Sequence, residues 1–270
     1  MKGVAAIAGA FALVALLGPE LAPFDPAAAR LDAVLEGPSA THPLGTDDLG
    51  RDQLSRLLGA ARTSLLAVAL VLAGALGLGL AVGSVAAVRG GLVDELLMRL
   101  TDVGLAVPNL IVALAMLGFL GPGYANMIAA LTLAAWPAYA RLSRTLMVSV
   151  KRRPYVEAVR LMGAPPGWIL LRHLLPAAIG PLLVYATADA GFIVVAVATL
   201  SFLGLGVQPP TPEWGQMLVA GLPFMETSPG LVILPGLALT LLVVGFNAAG
   251  ERVALDRVPR PQARRRRHAA

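Results

Sequence analysis

Few side chains in this sequence can do acid–base, metal or nucleophile chemistry. The three histidines, His42, His173 and His268, lie far apart. The chain has no Cys, which excludes thiol catalysis, disulfides and Cys-held zinc or iron–sulfur clusters, and leaves the redox compartment open. The two lysines, Lys2 and Lys151, follow Met1 and Val150, so no Gly-Lys-Ser/Thr phosphate loop exists. Neither HExxH nor GxSxG occurs. The GLGLAVG run (Gly77, Gly79, Gly83) sits inside an apolar stretch with no strand before it, which rules out a dinucleotide fingerprint. Small residues four apart, Ala75, Gly79 and Gly83, instead let two helices approach closely in lipid. Two acids, Asp102 and Asp189, fall in or beside long apolar runs. An acid at membrane depth is costly and usually faces the interior of a bundle. For Asp189 two roles stay open: a hydrogen bond to a neighbouring helix, or contact with cargo or water.

The elements that would position these groups are membrane helices. The 270 residues are 57% hydrophobic and only 14% charged, and their mean hydropathy is +0.76. A soluble domain is about 45–50% apolar and about 25% charged, so an ordinary soluble enzyme is excluded. A bilayer core about 30 Å thick needs about 20 mostly apolar residues per helix. Six runs approach this: Gly3–Gly18, Ser64–Val88, Val103–Leu120, Tyr124–Ala140, Gly180–Leu200 and Gly230–Ala249. The first also reads as the apolar part of a signal peptide, although Gly18-Pro19-Glu20 is a poor cleavage site.

Charge sets the orientation. With six spans and a cytoplasmic N-terminus, only Arg30, Arg51, Arg56 and Arg62 of the 21 basic residues fall outside. That asymmetry predicts an N-in, C-in all-α membrane protein. It also explains the net charge of +5 by topology and attraction to anionic lipid, not by nucleic acid.

Three regions are expected. Residues 1–62 hold the first span and an acid- and proline-rich external segment. Residues 63–249 hold five spans. Residues 250–270 form a basic cytoplasmic tail ending in Arg264–Arg267. Within the core, residues 205–229 carry five prolines and read as an ordered external loop or re-entrant turn. The cytoplasmic segment 151–177 reads as a mechanical part. Pro154 suits a first helical turn, and Glu157 lies near the positive end of the dipole. Ala158 leaves room for a partner, Gly163 is placed as a C-terminal cap, and Pro165 is a stop. A second short helix is expected from about Trp168 to Leu175, ahead of Pro176 and the fifth span.

This segment resembles the EAA motif of ABC-importer permeases: Glu-Ala-Ala, three residues, Gly, nine residues, Ile, one residue, Leu-Pro. Glu157, Ala158, Gly163, Leu175 and Pro176 match at the correct spacings, with Val159 at the second Ala and His173 at the Ile. Residues 42–65 (HPLGTDDLGRDQLSRLLGAARTSL) and 200–218 (LSFLGLGVQPPTPEWGQML) resemble the same branch, the C-type permease of dipeptide, oligopeptide and nickel importers. The resemblance covers almost the whole chain, apart from its last ten residues.

It implies the type I importer permease (MetI-like) fold and a multi-pass place in the bacterial inner membrane. It implies no catalysis, bound cofactor or metal in this chain, with ATP and Mg held by partner subunits. The implied partners are a B-type permease, two ATPase subunits and an extracytoplasmic substrate-binding protein. Glu157, Ala158, Val159, Gly163, Leu175 and Pro176 would couple to the ATPase. Asp189, Ser201, Gly204, Gly206 and Trp214 are candidates for the pathway and its outer gate, and Trp214 serves equally as an interfacial anchor. Asp47, Asp48, Arg51 and Asp52 form an external polar loop that either satisfies itself or meets the binding protein. Peptide importers commonly carry Glu shortly before SFLG, where Val197 stands here, and Asp189 in ATADAG looks more like nickel-type permeases. Peptide and nickel or metal-chelate cargo both stay open. A membrane enzyme would need polar residues converging within the spans, and an ATP-independent channel or carrier would work without an ATPase.

Overall fold

The computed structural model describes residues 15–257. The first expected span and the end of the basic tail lie outside the described residues, apart from residues 15–18 of that span. From residue 53 onward the chain is helix after helix: α1 Gln53–Arg89, α2 Gly91–Ala106, α3 Asn109–Leu120, α4 Tyr124–Lys151, α5 Pro154–Leu161, α6 Pro166–Phe202, α7 Trp214–Gly221 and α8 Gly230–Arg257. α1 and α4 form the most extensive pair, α6 packs on both, and α8 closes against α6 and α7.

The α1–α4 seam follows from small residues. Ala75, Gly79 and Gly83 are buried in α1. The backbone of α4 at Tyr139–Arg144 lies where side chains at Gly79 and Gly83 would otherwise stand. Ser143 Oγ donates to the Gly79 carbonyl at 3.0 Å. A stripe without Cβ bulk thus lets two helices share a backbone hydrogen bond acceptor in an apolar medium.

Among the described residues, three helices are long and apolar enough to cross a membrane: α1, α6 and residues 230–252 of α8. The expected span Val103–Leu120 is not one helix. It divides into α2 and α3, which meet at 91°. Pro108 carries no N–H and holds Val107 extended (φ −108°, ψ 134°), which ends α2. If this bent pair is one broken span, it makes a fourth. The expected span Tyr124–Ala140 continues to Lys151 as the 28-residue α4. Pro137, Arg141 and Arg144 inside it keep it below the apolarity of the other three.

The separate surface helix expected over Trp168–Leu175 is also corrected. It is the first part of α6, which runs 37 residues without a break. A π-turn over Leu170–Leu174 makes this possible: Leu175 N–H bonds back to the Leu170 carbonyl, and the widened turn accommodates the ring of Pro176.

Candidate functional site

The chemistry-bearing residues separate into three levels along the bundle. At the level of residues 150–176, α5 begins at Pro154, where a missing N–H costs nothing. It ends in a double hydrogen-bonded cap. Gly163 N–H bonds to Arg160 O at 3.0 Å, and Ala164 N–H bonds to Val159 O at 3.3 Å. Gly163 has φ +87°, a left-handed conformation that suits glycine. Val156 is buried and Val159 half-buried, whereas Glu157 and Ala158 face outward. Glu157 meets Arg160 at 3.3 Å. His173 in α6 is held edge-on between the rings of Tyr155, 5.8 Å away, and Trp168, 5.2 Å away.

This two-helix corner packs on the bundle through buried Val156, Ile169 and Leu174, and beside it polar contacts tie α4 to α1 and α2. Lys151 Nζ donates to the Ala87 and Val88 carbonyls at 2.8 and 3.2 Å, at the negative end of α1. Arg144 forks onto Asp94 of α2 at 3.0 and 2.5 Å, and Arg141 pairs with Asp102. A groove of about 240 Å³ remains between the corner and the bundle, lined by Val88, Glu157, Arg160, Ala164, Ile169 and Leu174 among others. Leu175 is half-buried beside it and Pro176 exposed. The structure places all six coupling candidates on this α5–α6 corner.

At mid-bundle, Asp189 of α6 is half-buried and accepts a 2.9 Å hydrogen bond from the Tyr139 hydroxyl of α4. Tyr185, one turn earlier, packs edge-on against Tyr139 at 5.1 Å. Tyr139 carries no sequence signal beyond being an aromatic residue in an apolar run.

At the level of residues 19–62 and 203–229 lies a polar network. Asp47 Oδ1 accepts the N–H groups of Leu49 and Arg51, while Oδ2 accepts Arg51 Nε at 2.7 Å and forms an ion pair with Arg56 Nε at 3.2 Å. Asp52 caps α1 through Ser55 N and Oγ, both 2.7 Å, and holds His42 Nδ1 at 2.9 Å. Asp47, Arg51 and Asp52 are buried, and Asp48 is half-exposed. These groups satisfy most of one another's hydrogen bonds, although the buried Arg56 Nη2 has no hydrogen-bond partner among the described residues. The His42–Asp52–Ser55 line cannot activate a nucleophile, because the Ser55 hydroxyl donates to Asp52.

The other outer candidates sit where α6 ends. Gly204, φ +76°, repeats the cap of Gly163, with Gly204 N–H on Ser201 O and Leu205 N–H on Leu200 O. Gly206 packs against Ser201 and Met127. Trp214 is buried, and its Nε1–H donates to Leu57 O of α1 at 3.1 Å, an inward position unlike a lipid-facing anchor.

Beside it is an acid that the sequence reading passed over. Glu213 is fully buried and caps α7 through Gln216 N–H at 2.9 Å. It also accepts the Ser64 hydroxyl of α1 at 3.0 Å and hydrogen-bonds Ser201 of α6. Burial pushes its carboxyl above the usual range, and hydrogen bonds from Gln216, Gly215, Ser64 and Ser201 oppose that shift. Its only sequence signal was an acid directly before an apolar turn, and Glu is an unusual cap.

Comparison with known proteins agrees with this architecture. Residues 79–255 match the family described as binding-protein-dependent transport system inner membrane component. The nickel transport system permease protein NikC of Escherichia coli K12 is 44% identical over 240 residues, 89% of this chain and 87% of that one. The di/tripeptide transport system permease protein DppC of Pseudomonas aeruginosa is 41% identical over 250 residues, 90% of this chain and 82% of that one. Among solved structures, the inward-facing MetNI methionine ABC transporter superposes with a TM-score of 0.61 at 22% identity, over 76% of this chain and 97% of that chain.

Proposed function

The chain belongs to the family of binding-protein-dependent transport system inner membrane components and is a multi-pass permease subunit of an ABC importer in the bacterial inner membrane; from that premise we propose how it works. It spans the membrane six times, N-in and C-in, with its first span and external segment in 1–62, five spans in 63–249 and a basic tail in 250–270. The distribution of Lys and Arg supports that orientation. A related B-type permease completes the path. Two ATPase subunits dock on the cytoplasmic loops and carry ATP and Mg, and an extracytoplasmic binding protein delivers cargo. The cargo is di- or oligopeptide, or nickel or a metal chelate; the relatives above are named for nickel and for di- and tripeptides, which supports that range.

The observation that carries this reading is the corner of α5 and α6. A short helix that starts on Pro154, ends in the Gly163 cap and buries Val156 against the bundle transmits displacement as a unit. Motion of a docked ATPase at Glu157, Ala158, Val159 and Gly163 then reaches the spans through Leu175 and Pro176, because α6 is one continuous rod. At the outer end, Ser201, Gly204, Gly206 and Trp214 shape the gate, and Asp189 lines the path. The Asp47–Asp48–Arg51–Asp52 loop holds the external face in register for the binding protein.

Gly163→Leu tests the coupling. A side chain at φ +87° strains the cap by about 1 kcal/mol, too little to unfold the bundle. Uptake in the complete transporter is expected to fall more than tenfold, while the ATPase subunits still co-purify. Hydrolysis should no longer respond to loaded binding protein. Normal cargo-stimulated hydrolysis in this variant would refute the coupling role, and failure of wild type to co-purify with any ATPase would favour an ATP-independent carrier.

A further inference from the structure

The mid-bundle acid has a distinctive setting. None of the ion pairs among the described residues includes Asp189. The arginine of α4 nearest in sequence to Tyr139, Arg141, is engaged with Asp102. The carboxylate therefore has one hydrogen bond from a neutral phenol and no cation, deep in an apolar helix. An acid left so at membrane depth is expensive, and such residues mark ion and substrate paths.

Its position on α6 is a boundary. Leu182, Ala186, Ala190 and Ile193 are buried against the bundle. Tyr185 and Phe192, four before and three after Asp189 on the same face, are 36% and 77% exposed. The Tyr139 hydroxyl holds the carboxylate from the packed side. Asp189 itself is half-buried, and Tyr185, close enough to interact with it, borders the exposed face of α6; the face of such an aromatic ring attracts cations.

We propose that Asp189, with the ring of Tyr185, is the mid-membrane contact for a cationic group of the cargo, either a primary ammonium or a divalent metal ion. This rests on the reading that the chain forms the translocation path. One carboxylate and one ring are too few ligands to hold a metal ion. No three His, Asp or Glu converge as metal ligands among the described residues. The contact is thus weak enough to release its ion, as passage requires.

The test uses the complete transporter in proteoliposomes, with nickel ion alone and labelled dialanine as separate cargoes. Whichever cargo the wild type carries, Asp189→Asn is expected to lower its uptake at least tenfold. Asp189→Glu should restore uptake to within about threefold of wild type. Tyr139→Phe removes the interhelical hydrogen bond and leaves the acid in place, so uptake should persist within about threefold. The nickel and dialanine arms show whether the cation is a metal or an ammonium. Full uptake in Asp189→Asn overturns the proposal. A loss in Tyr139→Phe equal to that in Asp189→Asn also overturns it, because the hydrogen bond would then be the residue's role. So does failure of the Asp189→Asn subunits to co-purify. A wild type that moves neither cargo overturns the peptide-or-nickel reading together with this one.

Discussion

Gly83→Leu is expected to abolish the folded bundle, whereas Gly77→Leu, six residues earlier on the same helix, is expected to leave it intact. A Cβ at Gly83 would stand 2.6 Å from the Ala140 carbonyl oxygen and 2.9 Å from Arg144 N, and would collide with Ser143 Oγ. The obstacle is mainly the backbone of α4, which cannot move aside as a flexible side chain can. Overpacking a core costs about 1–3 kcal/mol when side chains can adjust, and more when they cannot. Leu would force α1 and α4 apart along their whole seam and break the Ser143–Gly79 hydrogen bond. Against a total stability of about 5–15 kcal/mol, that loss is decisive. Gly77 has nothing within 4 Å of its Cβ position and is exposed. Detergent extraction followed by size-exclusion chromatography should give aggregate for Gly83→Leu and a monodisperse peak for Gly77→Leu. Equal profiles would remove the close-approach account of the α1–α4 pair.

That seam was legible in the sequence because four-residue spacing of Ala75, Gly79 and Gly83 has one physical meaning in an apolar helix. The cap of α5 was legible for a similar reason: Pro154, Gly163 and Pro165 are residues whose backbone preferences hold in almost any surroundings. Reading failed where a local preference met tertiary context. Pro108 was strong enough to break the span expected over Val103–Leu120, and the signal, a proline in mid-run, was visible. Pro176 and Pro181 were equally visible, yet α6 continues through both because a π-turn absorbs the first. No feature of a single sequence separates those two outcomes. The external polar loop was foreseen as a set of acids and bases. Its pairing was not: Asp47 serves two arginines and Asp52 caps a helix, arrangements that depend on how residues 30–50 fold back on themselves. Asp189 could be placed at depth from the sequence. Its hydrogen bond to Tyr139 joins residues 50 positions apart and needed the fold.

Replacing Glu213 with Ala should release α7. The side chain caps α7 and joins it to Ser64 of α1 and Ser201 of α6, so one truncation removes the acceptor of several buried donors. Loss of a cap costs about 1 kcal/mol. Each donor stranded out of water costs about 1–3 kcal/mol more. A total of roughly 3–5 kcal/mol is expected, read as a lower thermal-unfolding midpoint and faster hydrogen exchange in α7. Glu213→Gln keeps the shape and an oxygen acceptor, so its loss should be at most about 1 kcal/mol. The two variants also separate by pH. Burial raises the folded carboxyl above its unfolded value. The folded state therefore holds its proton more tightly. This contribution is full below the unfolded value and is lost as pH rises through the folded one. Wild-type stability should accordingly fall as pH climbs out of the ordinary carboxylate range, and Glu213→Gln should flatten that slope. A slope unchanged in Glu213→Gln would mean that another group titrates at the outer end. A midpoint unchanged in Glu213→Ala would mean that α7 is held by the apolar packing of Trp214 and Met217 alone, and that Glu213 is no polar latch.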